Sequence, residues 1–487
     1  MSSPARSPSS ASPEPAALPL VVDLDGTLVR TDTLLETFVR ALLSPLALLG
    51  AVWALRRGRA ALKQALAAIA PLSAPLLPYN AAVVELAREA RAAGRPVVLA
   101  TAADGRVADA VADHLGLFSE VLASRDGHNL KGAHKAAALV ERFGRHGFEY
   151  VGDCGADTAV WNAARRAVVV GRRRRLDGAE VRHLPGPGAW AAARSLLATA
   201  RPHQWVKNLL VFVPIVAAGR LDDLAGLTGA ALAFVAMSIV ASTIYLFNDL
   251  VDLEHDRRHP RKRQRGFAAG TAPLSVGLVA IPVGFVVGLG VAWAAGALWV
   301  VLLYVATTLL YSTVVKRVAV ADIFVLAALY TVRIVAGGEA SGYEVTLWLL
   351  GFSGFLFLDL AAVKRAGELV DLRSRRQATA AGRGYAVDDL DLVRTVGIAS
   401  ATASAVVLAL YVDDGAVNAP YTTPQALWLC VPIVLYWQIR LWIAVGRGRM
   451  TDDPILFAVR DRGSVVAGLA VALCVLAAYV AWPDRPS

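Results

Sequence analysis

The stretch YLFNDLVDLEHDRRHPRKRQR, residues 245–265, closes an apolar run that begins near residue 225 and opens onto a burst of basic residues. Within it Asn248, Asp249, Asp252 and Asp256 stand at i, i+1, i+4 and i+8. Residues four apart are neighbours on an α-helix, so Asn248, Asp252 and Asp256 stack on one face with Asp249 beside them. Carboxylates at the end of an apolar span are costly and usually functional. Packed this closely they call for divalent cations, hard ions that take oxygen ligands and bridge to a substrate diphosphate. Arg258, Arg261, Lys262 and Arg265 come next and are suited to gripping phosphate oxygens. A juxtamembrane cap with basic anchors would explain those cations equally well, but not three acids on one stripe.

Around this motif the 487-residue chain is 56% hydrophobic and only 18% charged, against about 25% charged in soluble domains. That balance excludes a disordered chain and argues against a wholly soluble one. After residue 200, apolar segments recur near the ~20 residues that cross a bilayer. Nine spans are expected, near 205–220, 225–247, 273–294, 296–314, 319–337, 343–362, 392–412, 425–446 and 464–482. Basic residues follow the even-numbered spans: Arg257 to Arg265; Lys316 and Arg317; Lys364, Arg365, Arg373, Arg375, Arg376 and Arg383; and Arg447, Arg449, Arg460 and Arg462. The odd loops (GRLDD, GGEASGYEVT, VDDGAVNAPYTTPQA) hold almost none. Positive residues stay cytoplasmic, which puts the even loops and the N-terminal region on the cytoplasmic side of a cell membrane. A nucleic-acid surface has no reason to alternate this way, so the net charge of +10 points to lipid headgroups and phosphorylated substrates. The three cysteines, Cys154, Cys430 and Cys474, fit no metal spacing and no disulfide framework.

The N-terminal part reads differently. Residues 1–18 are rich in Ser, Pro and Ala and are expected to be a disordered tail. From 19 to 178, short apolar runs (LPLVVDLDG, GRPVVLATA, FEYVGD, ARRAVVVG) alternate with helical patterns, the mark of parallel strands joined by crossover helices. Residues 179–200, basic and broken by Pro185 to Gly188, read as a linker, and 201–487 as the membrane domain. Asp23 and Asp25 end the first strand, and the two-residue strand repeat projects both carboxylates from one face. Such a pair asks for a cation, and Mg²⁺ suits it. Gly26 and Thr27 then turn the backbone so that its N–H groups meet a phosphate. Thr101 ends a second strand, Lys131 and Lys135 lie in a basic stretch, and Asp153 and Asp157 complete the cation site. Residues 41–55 are apolar but too short to span, and fit a helical cap packed over the site or a helix docked on the membrane.

Each element alone is common. The ordered set DLDGT, then Thr, Lys and GDxxxD, each following a strand, is specific, and by it residues 19–178 resemble the haloacid dehalogenase-like phosphatases. The resemblance implies an α/β Rossmann-like fold with a small helical cap. Asp23 becomes the nucleophile and Asp25 the general acid/base; Thr101 and a lysine, Lys135 rather than Lys131, hold the phosphoryl group. Asp23, Asp25, Asp153 and Asp157 become the Mg²⁺ site.

Residues 200–485, an all-α membrane domain, are similar to the UbiA-type prenyltransferases, whose first acidic motif binds the ions that hold a diphosphate donor. Asn248, Asp249, Asp252 and Asp256 match it. The second motif, DxxxD, is broken here: Asp359 is followed at i+4 by Val363, then by Lys364 and Arg365. The KRxxEL form and RPHQWVKNLL resemble the decaprenyl-phosphate phosphoribosyltransferase branch. That implies Mg²⁺-bound phosphoribosyl diphosphate as donor, a polyprenyl phosphate as acceptor, and Lys207, Lys364 and Arg365 with the loop cations as phosphate-binding residues. Phosphoribosyl transfer leaves a 5-phosphate on the lipid-linked sugar, and a phosphatase on the same chain is suited to removing it. The alternatives are prenyl transfer from a diphosphate to an aromatic acceptor, and a non-enzymatic scaffold or transporter.

Overall fold

The computed structural model describes residues 18–42, 50, 53–54, 56, 59–125, 128–171, 173, 176, 180–186, 188–376, 384–415, 421–450 and 453–479. The expected tail, apart from Leu18, lies outside the described residues, as do Arg383 and much of the 41–55 segment. The chain divides into two compact units, Met1–Ala200 with Leu246–Val279, and Arg201–Tyr245 with Ala280–Ser487.

The elements run β1 (Leu20–Val22), α1 (Thr33–Leu42), α2 (Arg59–Ile69), α3 (Ala81–Ala92), β2 (Val97–Asp104), α4 (Gly105–Leu115), β3 (Glu120–Ser124), α5 (Ala133–Phe143), β4 (Glu149–Gly152), α6 (Thr158–Trp161), β5 (Arg166–Val170), β6 (Glu180–Leu184) and α7 (Ala189–Ala200). A 3-10 helix (Pro202–Phe212) follows, then α8 (Val213–Ala217), α9 (Leu224–Val251), α10 (Leu253–Arg258), α11 (Leu274–Ala294), α12 (Leu298–Thr313), α13 (Ala321–Ser341), α14 (Leu347–Ser374), α15 (Leu390–Leu410), α16 (Cys430–Gly446), α17 (Pro454–Arg460) and α18 (Arg462–Tyr479).

In the first unit six strands form one parallel sheet in the order β3-β2-β1-β4-β5-β6. Val21 pairs with Val98 on one side and Tyr150 on the other. A parallel sheet is covered on both faces, so its strands read as unbroken apolar runs. Alternate residues feed two cores. Leu20, Val22, Leu99 and Val151 pack with Val83, Ala87 and Val107, while Val21, Val98, Tyr150 and Val169 pack with Leu139, Val160 and Trp161. The strand order reverses between β1 and β4, and parallel sheets bind ligands beyond the carboxyl ends of their strands at such a switch point. Asp23 follows β1 and Asp153 follows β4, so the topology alone brings both to that crevice.

Two expectations about segments change. Residues 179–200 are not a plain linker: Glu180–Leu184 pair with β5 (Val168 opposite Arg182) and Ala189–Ala200 are helical. As an edge strand β6 is charged and largely exposed, which made it read as a loop. Residues Leu246–Val279, expected wholly in the membrane domain, pack as part of the first unit.

In the second unit Ala361, Ala362 and Ala366 of α14 pack with Leu390 and Val393 of α15 and Leu441, Ala444 and Val445 of α16. Small side chains let membrane helices approach closely. Eight helices among the described residues are long and apolar enough to cross a membrane: α9, α11 to α16, and α18. The ninth expected span, 205–220, is instead the 3-10 helix and the five-residue α8. Arg201 enters it at φ 54°, and proline stands at its first position and again inside α8. That backbone cannot run as one α-helix. α9 has 28 residues, about 42 Å at 1.5 Å per residue, against a hydrocarbon core of about 30 Å. The excess, about 12 Å, is roughly two turns of helix, the length of the segment that carries Asn248 and Asp249.

Candidate active sites

At the carboxyl edge of the sheet lies a cleft of about 520 Å³, lined by Asp23, Asp25, Asp153, Asp157, Lys131 and Lys135 among others. Lys135, on the first turn of α5 and 3% exposed, donates to Asp23 Oδ1 at 2.7 Å and to the Tyr150 hydroxyl at 2.9 Å. Tyr150 in turn donates to Asp157 Oδ1 at 2.8 Å, and Lys135 Nζ stands 3.5 Å from that carboxylate. Asp25 accepts from the Thr33 backbone N–H at 2.8 Å, which ties the strand end to the start of α1. Gly26 sits at φ +72°, and a β-carbon there would come 2.2 Å from Asp153 Oδ2. Only glycine lets the β1 turn and the Asp153 carboxylate meet.

Four carboxyl groups face one buried ammonium. Burial pushes Asp23 up to about 6 against the pull of Lys135, and with Asp32 beside it raises Asp25 to about 7. Burial and the charge of Asp23 raise Asp153 to about 7. Burial would lower Lys135, but Asp23 and Asp157 outweigh it and hold the ammonium above its ordinary value. Burial and Asp157 push the Cys154 thiol up to about 12, so it stays protonated beside the carboxylates. Asp153, Cys154 and Asp157 bring ligand atoms within 4.8 Å of one another. A pocket whose donors are mostly carboxylate oxygens, with surplus negative charge, fits a hard divalent ion such as Mg²⁺. Thr101 does not line this cleft: it is fully buried, and its hydroxyl accepts from the Ala103 N–H at 3.0 Å. Sequence reading missed Tyr150, whose only signal is a hydroxyl on an otherwise apolar strand, a group that needs a partner when buried.

In the same unit, the acidic motif spans the break between α9 and α10. Asp252 is the junction, yet its N–H bonds Asn248 O at 2.9 Å and the Asp256 N–H bonds Asp252 O at 2.8 Å, so the helical stacking persists. Arg265 returns to this stripe and donates from one Nη1 to Asp249 Oδ1 at 3.1 Å and Asp256 Oδ2 at 2.8 Å. The other Asp256 oxygen, Oδ1, is buried with no hydrogen-bond partner among the described residues. An orphaned carboxylate oxygen beside a second buried acid fits a cation ligand. The other proposed phosphate ligands are arranged differently. Arg258 is exposed and pairs with Glu254, Arg261 is exposed and Lys262 half-buried. Arg257 turns the other way, with its guanidinium forked onto Glu36 of α1 at 2.6 and 2.8 Å.

In the second unit, Asp453, at the N-terminus of α17, gathers a polar cluster. Lys207 Nζ lies 2.6 Å from it, Lys364 Nζ 3.5 Å, and the Tyr330 hydroxyl 3.0 Å. Burial alone would raise this carboxyl, but Lys364 and Lys207 hold it well below the usual range. Arg333 joins α13 to Asn208 (2.9 Å) and Tyr304 (3.2 Å). Arg365 differs from the expectation of a phosphate ligand: it is 1% exposed and locked between Asp322 and Glu368. Asp359 is fully buried and accepts from Trp442 Nε1 at 2.8 Å through one oxygen, while its other oxygen, like that of Asp256, has no hydrogen-bond partner among the described residues. Sequence reading missed Asp453, Tyr330 and Arg333. The last was legible, because an arginine inside an apolar span is a site by default.

A parallel α/β unit joined to an all-helical integral membrane unit, with an acidic cation-type stripe at a helix end, defines a polytopic membrane enzyme. The chain belongs to the UbiA prenyltransferase family, which matches residues 208–459. An uncharacterized protein of Sinorhizobium fredii, y4nM, is 38% identical over 465 residues, 93% of this chain and 90% of that one. The decaprenyl-phosphate phosphoribosyltransferase of Mycobacterium tuberculosis is 33% identical over 279 residues, 55% of this chain and 89% of its own. The structure of a UbiA homolog from Archaeoglobus fulgidus bound to DMAPP and Mg²⁺ aligns with 58% of this chain and 98% of its own, at 16% identity and a TM-score of 0.45.

Proposed function

We propose that the chain is a bifunctional membrane enzyme with both sites on the cytoplasmic side. The membrane domain transfers 5-phosphoribose from phosphoribosyl diphosphate to a polyprenyl phosphate, and the N-terminal domain removes the 5-phosphate to leave polyprenyl-phosphoryl-ribose. The observation that carries the reading is the single acidic stripe Asn248–Asp256 with its unpartnered Asp256 oxygen, where Lys364 and Val363 stand in place of a second acidic motif. One acidic cluster suits one donor diphosphate, and lysines suit an anionic acceptor. The 33% identity to a phosphoribosyltransferase supports the same choice.

In the transfer, an oxygen of the lipid phosphate attacks the anomeric carbon, the bond from that carbon to the diphosphate breaks, and pyrophosphate leaves with the bonding electrons. Asn248, Asp249, Asp252 and Asp256 would hold the cation that neutralises it. Lys207 and Lys364, pre-ordered by Asp453, are suited to anionic phosphate oxygens.

In the hydrolysis, an Asp23 oxygen attacks phosphorus, the phosphorus–oxygen bond to the sugar breaks, and Asp25 gives its proton to the departing oxygen. Water then attacks the phosphorus of the aspartyl phosphate, Asp25 takes back a proton, and inorganic phosphate leaves. Mg²⁺ held by Asp23, Asp25 and Asp153, with Asp157 behind them, would supply charge neutralisation for the transferring group. Lys135 holds Asp23 in place through its 2.7 Å contact.

The test incubates the purified chain with Mg²⁺, phosphoribosyl diphosphate and polyprenyl phosphate and reads the lipids by mass spectrometry. Ribosylated lipid without the 5-phosphate is expected, with the phosphate retained in Asp23→Asn and no transfer in Asp256→Asn. No ribosylated lipid, or prenylation of an added aromatic acid instead, refutes the transferase reading.

A further inference from the structure

The cleft around Asp23 has a wall that does not come from the N-terminal 200 residues. Ala272, Pro273, Leu274 and Ser275 line it together with Asp23, Asp25 and Asp153. These four residues follow the acidic motif, and Leu274 begins α11, one of the helices apolar and long enough to cross a membrane.

Several contacts within the unit fix this wall in place. Arg257 is clamped to Glu36 of α1 in a buried fork, 7% and 2% exposed respectively, and also donates to Ala268 O at 3.1 Å. Arg40 pairs with Glu254 at 2.9 Å. Thr271 shares a 2.8 Å hydroxyl contact with Ser195 of α7. Gly270, at φ +67°, lies so close to the 26–33 turn that a β-carbon would come 2.8 Å from that of Arg30. A buried bidentate pair is expensive to leave half-made, so the chain is committed to holding this loop against α1. Its polar ties lie outside the cleft, and what reaches the cleft is Ala272 to Ser275.

We propose that residues 266–275, held against α1 by the Arg257–Glu36 clamp, form the substrate-selecting wall of the Asp23 cleft and confine it to phosphomonoesters carried on a membrane-embedded lipid. The proposal rests on the hydrolase reading of that cleft and adds what selects its substrate. A free sugar phosphate gains only the acidic pocket. A lipid-linked ester also meets a wall whose chain runs on as an apolar helix, so its lipid stays in the bilayer while its phosphate meets Asp23. Arg257 and Glu36 are positioning residues and touch no substrate.

The test measures phosphate release by the full chain in lipid vesicles from two substrates, polyprenyl-phosphoryl-ribose 5-phosphate and free ribose 5-phosphate. The wild-type chain is expected to favour the lipid-linked ester in kcat/KM by at least about tenfold. Arg257→Glu and Glu36→Arg should erase most of that preference through the KM of the lipid ester, with little change for ribose 5-phosphate. The combined exchange E36R/R257E should restore it. Thr271→Ala removes only the hydroxyl tie and should lower the preference about threefold, which keeps the idea testable if the single charge variants do not fold. Release from neither substrate by the wild-type chain sinks the hydrolase reading itself. Equal efficiency on both substrates, or equal loss on both in every variant, overturns the wall and leaves the hydrolase standing.

Discussion

Replacing Lys135 by methionine keeps the length of the side chain and removes its charge. Among the described residues Lys135 is the one ammonium in contact with Asp23 (2.7 Å) and Asp157 (3.5 Å), and it also holds Tyr150 (2.9 Å). Breaking a buried pair by deleting one partner costs about 3–5 kcal/mol, because the remaining charge is left uncompensated. In a folded unit of this size each kcal/mol moves the melting temperature by roughly 2–4 °C. Without metal the variant should therefore melt roughly 6–20 °C lower. The assay is a thermal scan of the full chain in detergent with chelator, followed by differential scanning calorimetry, the transition that Mg²⁺ shifts being that of the first unit. Saturating Mg²⁺ should recover more degrees in K135M than in the wild type, since the ion replaces the missing positive charge. A melting point within about 2 °C of wild type, or an equal Mg²⁺ gain in both proteins, would refute the view that these carboxylates depend on one cation.

Two further outcomes follow from the same geometry. Asp23, Asp25 and Asp153 titrate near 6, 7 and 7 when folded, against 3.8 when free. The folded state therefore holds protons that the unfolded state releases. Metal-free stability should fall as pH rises from about 4 to 7, and Mg²⁺ should flatten that slope; a stability that rises across this window contradicts the assignment. In the second unit Asp453→Asn strands Lys207 and Lys364 without their shared counter-charge, an expected loss of about 3–5 kcal/mol. Added pyrophosphate should restore part of the lost melting temperature if these lysines receive anionic phosphates, and no such rescue would argue for a purely structural cluster.

Local spacing decided what was legible in the chain. Asp23, Asp25 and Asp153 announce themselves because strand ends carry them, and the parallel order of β1, β2 and β4 does the rest. Asn248 to Asp256 are legible because one helical face holds them. Glu36 and Arg257 are 221 residues apart, and Lys207 and Asp453 are 246 apart, so no window of sequence contains either pair. The expected first span failed for a backbone reason. Hydropathy counts side chains and ignores Arg201 in a left-handed conformation and prolines at 202 and 214. β6 was hidden because an edge strand with charged residues on its open side resembles a loop. Thr101 was expected to end its strand, but β2 runs on to Asp104, and the Thr101 hydroxyl accepts from the Ala103 backbone.

The inclusion of Leu246–Val279 in the first unit has a consequence for how the protein is made. β1, the central strand, leaves the ribosome first, yet Glu36 has no partner until Arg257 has been synthesised. Between those events the whole apolar helix Leu224–Val251 must emerge and be inserted. The first unit is therefore complete only after that helix has been made, and a fragment ending at Ala200 would carry an unpaired buried glutamate and a cleft open on one side.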